Sequence, residues 1–439
     1  MAVDPNLKLP FVMNYNLGIT HAFGSDLSLE VEYVGNHGYR LLNFADINQG
    51  QMGSAYCLNS LTASQSADAC GPNRAQVGGV SCTVTMSALT NNCPGNGQAM
   101  QESRPYFSKF PYLGYIYQVT NRSYSNYNSL QVALTKRMSH GLALTAGYTY
   151  GHGLDSGSLN RFGLNPQNSL NPAAGEYGSS DFDVRHRLTA TATYNIPGIK
   201  GYGQVLEGWS INTIVTLASA QPWQTYDPAS NFSGTYENAD RWNIFGNSAD
   251  FPSGKSGIPY CSGYTLNANG TANSSGASCV VASPVYGPGP APSAVNPSAC
   301  VTADGSSLAL AQTLATAGCY VSANGKSVIA PPAFGTFGNM GRNVLRDSGF
   351  KDWDMSLFKN FTFHERYGIQ ARWEVFNVLN HPIAANPSGA SSFVNTNNSP
   401  GAGANLFGAS GLTPDFAAGN PLIGSGSQRV MQVGLKLTF

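Results

Sequence analysis

About nine stretches of this chain alternate apolar and polar residues with a period of two, and they keep a consistent phase. In a β-strand successive side chains point to opposite faces, so each stretch reads as a strand with one apolar face. Phe11, Met13, Tyr15, Leu17 and Ile19 alternate with Val12, Asn14, Asn16 and Gly18. Leu27, Leu29, Val31 and Tyr33 alternate with Ser28, Glu30 and Glu32. The stretches Leu130–Leu134, Leu142–Tyr150, Leu188–Tyr194, Trp209–Leu217, Trp353–Leu357 and Tyr367–Val375 follow the same rule. In the last one, Met431, Val433, Leu435, Leu437 and Phe439 share a face, opposite Gln432, Lys436 and Thr438. A strand that runs to a terminal aromatic is unusual, because the ends of soluble domains fray.

The connections alternate strictly between short and long. Phe23–Asp26, Met138–Gly141, Pro197–Glu207 and Thr362–Arg366 are short. The long ones span about 42–124, 151–182, 218–349 and 381–428. A transmembrane barrel has this asymmetry, with tight turns at one end and extended loops at the other. A soluble sandwich has no reason to gather its long loops at one end, and long structureless loops are improbable in compact domains. Aromatics concentrate at the strand ends: Tyr194, Trp209, Phe361, Tyr367 and Phe439 near the turns, and Tyr33, Tyr148, Tyr150 and Trp353 near the loops. Such girdles mark the two interfaces of a membrane. Lys136 and Lys359 share the apolar phase, but both lie at turn ends, where a lysine is expected to snorkel to headgroups.

Only 10% of the residues are charged, against roughly 25% in a soluble domain. The 23 basic and 23 acidic residues balance, and no basic stripe points to nucleic acid. No stretch approaches the ~20 apolar residues of a membrane helix. The expected class is therefore all-β: an antiparallel transmembrane sheet, located in an outer membrane, with lipid as its first partner.

Eight cysteines fall in two groups of four, Cys57, Cys70, Cys82 and Cys93, then Cys261, Cys279, Cys300 and Cys319, each inside one long interval. No C-x-x-C pair or zinc-finger histidine spacing is present, so disulfides are the better reading and zinc the alternative. Each group allows three pairings and the sequence does not choose among them; local pairing costs least loop entropy. No catalytic constellation stands out, so no enzyme activity, cofactor or metal is expected. Asp181, Asp183, Arg185, His186 and Arg187 form the densest charged cluster. It reads as a solvated strand end facing the lumen, with a metal or substrate site at the barrel mouth as the sharper alternative. Gly335, Gly338 and Gly341 do not make a phosphate loop, and Asn267–Gly276 reads as low-complexity loop.

Several segments together resemble the Oar-like TonB-dependent outer-membrane transporters. They are Ser125–Gln131 through Lys136-Arg137, Gly147–Tyr150, Asp183–Leu188, Gly338–Asn343, Trp353–Asn360 and Glu374–Pro382. The likeness runs from about Asp4 to Phe439, with the cysteine-bearing intervals as variable insertions. It implies a barrel of 22 strands, an N-terminal plug and uptake driven by the TonB complex. Gln432, Gly434, Leu437 and Phe439 resemble the C-terminal signal read by the barrel-assembly machinery.

The chain departs from that pattern. About nine strands, with the first and last running the same way, cannot close an antiparallel barrel. No plug, energy-coupling box or signal peptide is recognisable, so TonB would be reached only through a missing N-terminal part. The expectation is that residues 1–439 form the C-terminal portion of a transporter barrel, as an open curved sheet. A surface-exposed structural or adhesive barrel and a secreted soluble sandwich are the competing readings.

Overall fold

In a computed structural model, the structure describes residues 2–53, 101, 103–158, 166–171, 175–199, 202, 204–223, 232–235, 240–253, 256–283, 287–304, 307–363, 367–381 and 429–439. Nine long strands form one sheet, and each pairs antiparallel with its neighbours in chain order. They are β1 (Phe11–Phe23), β2 (Leu27–Asp46), β3 (Tyr117–Ser139), β4 (Leu142–Asp155), β5 (His186–Asn195), β6 (Trp209–Ala218), β7 (Phe350–Phe363), β8 (Tyr367–Phe376) and β9 (Val430–Thr438). The two-residue strands Ala2–Val3 and Gly178–Ser179 add to β3 and β4. Every short turn lies at one end of this meander and every long connection at the other.

The register brings the apolar residues of all nine strands to one face. One row across the sheet reads Phe23, Leu27, Lys136, Leu144, Ala192, Thr213, Met355, Val375 and Met431. The row begins at the turn end of β1 and finishes at the opposite end of β9. That stagger is what tilted strands produce when a sheet curves toward a barrel. The other face carries Glu32 opposite Gln131, Thr193 opposite Asn212, and Ser356 opposite Glu374. A one-residue slip on any strand would move its polar set onto the apolar face, so burial of that face in lipid pins the register. Among the described residues β1 and β9 are the sheet edges, and no closed barrel forms. Their outward side chains are the barest of the sheet, with Leu17 at 75% and Val433 at 83% exposure.

The aromatics near the long connections satisfy their polar tips on the apolar face itself. The hydroxyls of Tyr15 and Tyr33 both donate to Asn128 Oδ1, at 3.1 and 2.6 Å. Trp353 Nε1 donates to Thr213 Oγ1 at 2.7 Å, and Tyr148 Oη meets His186 Nδ1 at 2.8 Å. Apolar rings with satisfied polar tips suit a membrane interface. The Tyr15 ring lies over Gly35 on the paired strand, where an added Cβ would come within 2.0 Å of it. The two lysines at the turn ends fold back onto protein rather than snorkelling. Lys136 Nζ reaches Asp26 at 2.9 Å. Lys359 Nζ donates to the carbonyls of Gln204 and Glu207 and sits 4.5 Å from the Phe361 ring centroid. Both turns present acceptors within reach of the ammonium group, the Asp26 carboxylate and the carbonyls of Gln204 and Glu207.

Most strands run further than the alternation predicts, so the first three long connections are shorter, 47–116, 156–185 and 219–349, while the fourth, 377–429, is slightly longer. At the ends of β2 and β3 the ladder continues past β1 and β4 as a ribbon, closed by the buried carboxylate of Asp46. That carboxylate accepts from the backbone of Asn48 and Ile116 and pairs with Arg104. Residues 54–100 and 382–428 lie outside the described residues, and Cys57, Cys70, Cys82 and Cys93 lie there too.

The 219–349 connection is not loop. It carries a six-stranded sheet in the order Asn243–Phe245, Val328–Ala330, Cys319–Val321, Tyr260–Ser262, Ser278–Ser283, Gly287–Pro290. Helices α1 (Ser298–Asp304) and α2 (Leu308–Ala317) flank it. Helix α2 is built mostly of Leu and Ala, with Gln312, Thr313 and Thr316, capped by Ser307 and ended by Gly318 at φ 67°. The largest fully buried side chains, including Trp223, Trp242, Tyr320, Phe251 and Leu314, all belong to this unit except Gln49. The run Asn267–Gly276 contributes a hairpin, with Thr265–Leu266 paired to Ala272–Asn273. Three of its four cysteines sit on strands, and the bonds are Cys261–Cys279 and Cys300–Cys319.

Candidate functional site at the long-connection end

The charged segment Asp181–Arg187 leads into β5, and the structure buries its carboxylates instead of solvating them. Asp183 is 2% exposed. Its Oδ1 accepts from His152 Nδ1 at 3.0 Å and from the Gly153 backbone at 2.9 Å. Its Oδ2 accepts from Arg346 at 2.7 Å and Arg185 at 3.3 Å. Arg185 also lies 2.9 Å from His152 Nε2. Arginine only donates, so Nε2 is the acceptor and Nδ1 carries the proton given to Asp183. Burial pushes the Asp183 carboxyl upward, but the hydrogen bonds from His152, Gly153 and Arg346 outweigh it and hold it below the usual range.

Beside these local partners, Arg342, Asn343 and Arg346 come from 338–346, the segment that closes the 219–349 unit. Arg342 pairs with Asp155, lies 3.9 Å from Asp181, and donates to the Glu176 carbonyl at 2.7 Å. Asn343 donates to Asp181 Oδ1 at 2.6 Å. A third arginine, Arg241, forks onto both oxygens of Glu176 at 2.9 and 3.0 Å. Gly338 packs against the backbone at Arg241 and Trp242, where an added Cβ would come within 2.0 Å of a carbonyl. The carboxylates lie on β4 and the 156–185 connection, and most of the guanidinium groups on the folded unit. Bidentate and multiply bonded arginine pairs of this kind fix orientation as well as position.

The segments Trp353–Asn360 and Glu374–His381 also meet, through backbone and amide hydrogen bonds. Asp354 accepts from the Asn377 backbone at 2.9 Å, and Asn377 exchanges hydrogen bonds with His381 at 3.0 and 3.1 Å. Together these contacts terminate β7 and β8 at the long-connection end. The polar face of the sheet carries a looser network, in which Asn16 donates to Glu32 at 2.7 Å and Arg372 to Gln370 at 2.6 Å.

The sequence-based site residues are dispersed. Gln432 bonds Glu374 on the polar face at 2.5 Å. Gly434 faces Arg372. Leu437 and Phe439 project from the apolar face at 61% and 92% exposure. The clamp residues Arg241 and Glu176 were not singled out from the sequence: Glu176 stands alone among uncharged residues, and Arg241 follows Asp240 with nothing to point to a partner 65 residues away. Among the described residues no group of three or more His, Cys, Asp or Glu side chains is placed to hold a metal. A cleft of about 520 Å³ opens in the folded unit between Asp250–Phe251, Ile258–Pro259 and Pro290. Ser327 and Asn324 hold the Asp250 carboxyl on its wall below the usual range.

A family profile described as "Outer membrane beta barrel domain" matches residues 1–410. No curated protein sequence matches the chain. Among solved structures, the chain is similar to P. aeruginosa FpvA in complex with heterologous pyoverdines, at 8% identity and TM-score 0.33, covering 97% of this chain and 27% of that one. It is also similar to the outer membrane transporter YddB from Escherichia coli, at 10% identity and TM-score 0.36, covering 99% of this chain and 33% of that one. The ferric citrate transporter FecA in its unliganded form gives 8% identity and TM-score 0.33, covering 97% and 31%. The chain thus spans no more than about a third of the length of these structures.

Proposed function

The chain belongs to the outer membrane β-barrel domain family, and from that premise we propose that it forms wall and mouth of a TonB-dependent transporter in the outer membrane. The observation that carries this reading is the sheet with one apolar and one polar face, staggered as a barrel wall is, with all long connections at one end. The apolar face meets lipid and the polar face lines a wet interior. The motif segments that resemble Oar-like transporters supply the TonB-dependent part of the reading. Two edge strands running the same way need further antiparallel strands to close, so the chain acts as one portion of a larger barrel. The ligand class is left open. Gln432, Gly434, Leu437 and Phe439 serve as the assembly signal. Removing Phe439 should lower the yield of heat-modifiable folded barrel more than replacing Ser274 in the 219–349 unit.

The reading is tested in the native host by deleting the gene and measuring uptake of candidate ligands. Uptake that depends on the gene, on TonB and on the proton gradient supports it. Gene-dependent uptake that survives loss of TonB would leave a passive barrel. The folded, cross-linked 219–349 unit favours a second reading, a surface barrel that displays this unit to a partner. In that case gene deletion abolishes surface adhesion and leaves uptake unchanged.

A further inference from the structure

Three cysteines of the 219–349 unit stand in one row across three neighbouring strands. Cys261 lies opposite Cys279 on one side and opposite Cys319 on the other. Residues opposite one another in an antiparallel ladder point to the same face, with Cα atoms about 4.5–5.5 Å apart. Disulfides span Cα separations of about 4.4–6.8 Å. Cys261 is therefore placed to bond with either neighbour. It is bonded to Cys279, while Cys319 is bonded to Cys300 on α1.

The four sulfurs differ in access. Cys261, Cys300 and Cys319 are fully buried, and Cys279 packs partly exposed against the same cluster. A thiol in solution thus meets this system at Cys279. Disulfide exchange needs a thiolate with access to the sulfur it attacks. The row gives a buried Cys261 thiolate that access to Cys319. The Tyr264 hydroxyl, 2.9 Å from the Pro297 carbonyl and 3.3 Å from the Cys319 sulfur, holds Cys319 in place beside it.

We propose that this row is a thiol-responsive disulfide relay that ends by releasing helix α1. A low-molecular-weight thiolate attacks the Cys279 sulfur. The Cys261–Cys279 bond breaks, a mixed disulfide forms at Cys279, and the electron pair leaves on Cys261. The Cys261 thiolate then attacks Cys319. A Cys261–Cys319 bond forms, the Cys300–Cys319 bond breaks, and Cys300 leaves as thiolate and takes a proton. A second small thiol attacks the mixed disulfide, leaves as the small disulfide and returns Cys279 as a thiol. Two small thiols are oxidised to one disulfide, and one protein disulfide is reduced in balance. The surviving protein bond is Cys261–Cys319, and α1 has lost its covalent tie to the sheet.

The test is limited reduction of the folded full chain with glutathione, acid quench, alkylation, and non-reducing peptide mapping of these four cysteines. The expected two-thiol species carries label on Cys279 and Cys300 and yields a Cys261–Cys319 linked peptide. Label confined to Cys261 and Cys279, or to Cys300 and Cys319, would overturn the relay. Two single variants test the exchange step without a reductant. Folded Cys279→Ser should show its free thiol at Cys300, and folded Cys300→Ser should show it at Cys279. A free thiol resting at Cys261 in the first variant, or at Cys319 in the second, would sink the proposal.

Discussion

Asp183 and Arg346 meet at 2.7 Å although 163 residues of sequence separate them. The contact joins the entry of β5 to the exit of the folded 219–349 unit, within the arginine–carboxylate clamp. Asp183 is fully buried while Arg346 keeps partial access to water. Removing the carboxylate therefore leaves four donors, from His152, Gly153, Arg185 and Arg346, facing an empty position.

Asp183→Asn keeps the shape and removes the charge. Breaking a buried pair costs about 3–5 kcal/mol, and partial exposure of Arg185 and Arg346 lowers this toward about 2 kcal/mol. Limited proteolysis should show faster cleavage of the 156–185 and 219–349 connections with the strands still protected. Unchanged cleavage would mean that the clamp does not hold the unit.

The two faces of β3 are tested by neighbouring residues. Val132 lies mid-strand on the apolar face and Ala133 on the polar face, opposite Glu30. Val132→Arg should cost about 2–4 kcal/mol if that position meets the bilayer midplane. Ala133→Arg should be close to neutral. Folding yields of the parent barrel into lipid vesicles compare the two, and equal losses would contradict the assignment of faces.

Leu314 on α2 is fully buried in the cysteine-containing core of the folded unit. Leu314→Ala should destabilise that unit by about 2–5 kcal/mol. Hydrogen exchange should quicken in the 240–349 strands and stay slow in β1–β9. A loss spread evenly over both sheets would show that they unfold as one.

Asp26, in the turn between β1 and β2, is held at about 2 by hydrogen bonds from Ser139 and Lys136. Its folded value lies below the ordinary carboxylate value of about 3.9. The contribution to stability is therefore complete above about pH 4 and is lost as pH falls toward about 2. Asp26→Asn removes this part of the acid limb. Unfolding of the barrel measured across that window should depend less on pH in the variant, and identical slopes would contradict the role of the turn.

The nine strands, their common phase and the asymmetry of the connections were legible in the sequence, because a period of two leaves its mark on every residue. Leu17, Val132 and Val433 each declare their face by what stands beside them. The charged segment Asp181–Arg187 was visible as a cluster, but it read as solvated, whereas Asp181 and Asp183 are buried. Its solvation depends on Arg342 and Arg346, which lie far along the chain. The same limit hid the folded unit in 219–349. Its strands are too short to show alternation, two of them, Cys319–Val321 and Val328–Ala330, are buried throughout, and its Gly, Ser and Asn content reads locally as loop.

What the sequence determined alone is what repeats locally: strand, face, turn and the even grouping of cysteines. Which cysteines pair, which carboxylates are buried and where the core lies were decided by tertiary structure. Burial and pairing are set by neighbours in space, and Glu176 meets Arg241 only when two connections fold against each other. Neither residue's surroundings in sequence carry that information, since the desolvation and the charge that answers it come from different parts of the chain.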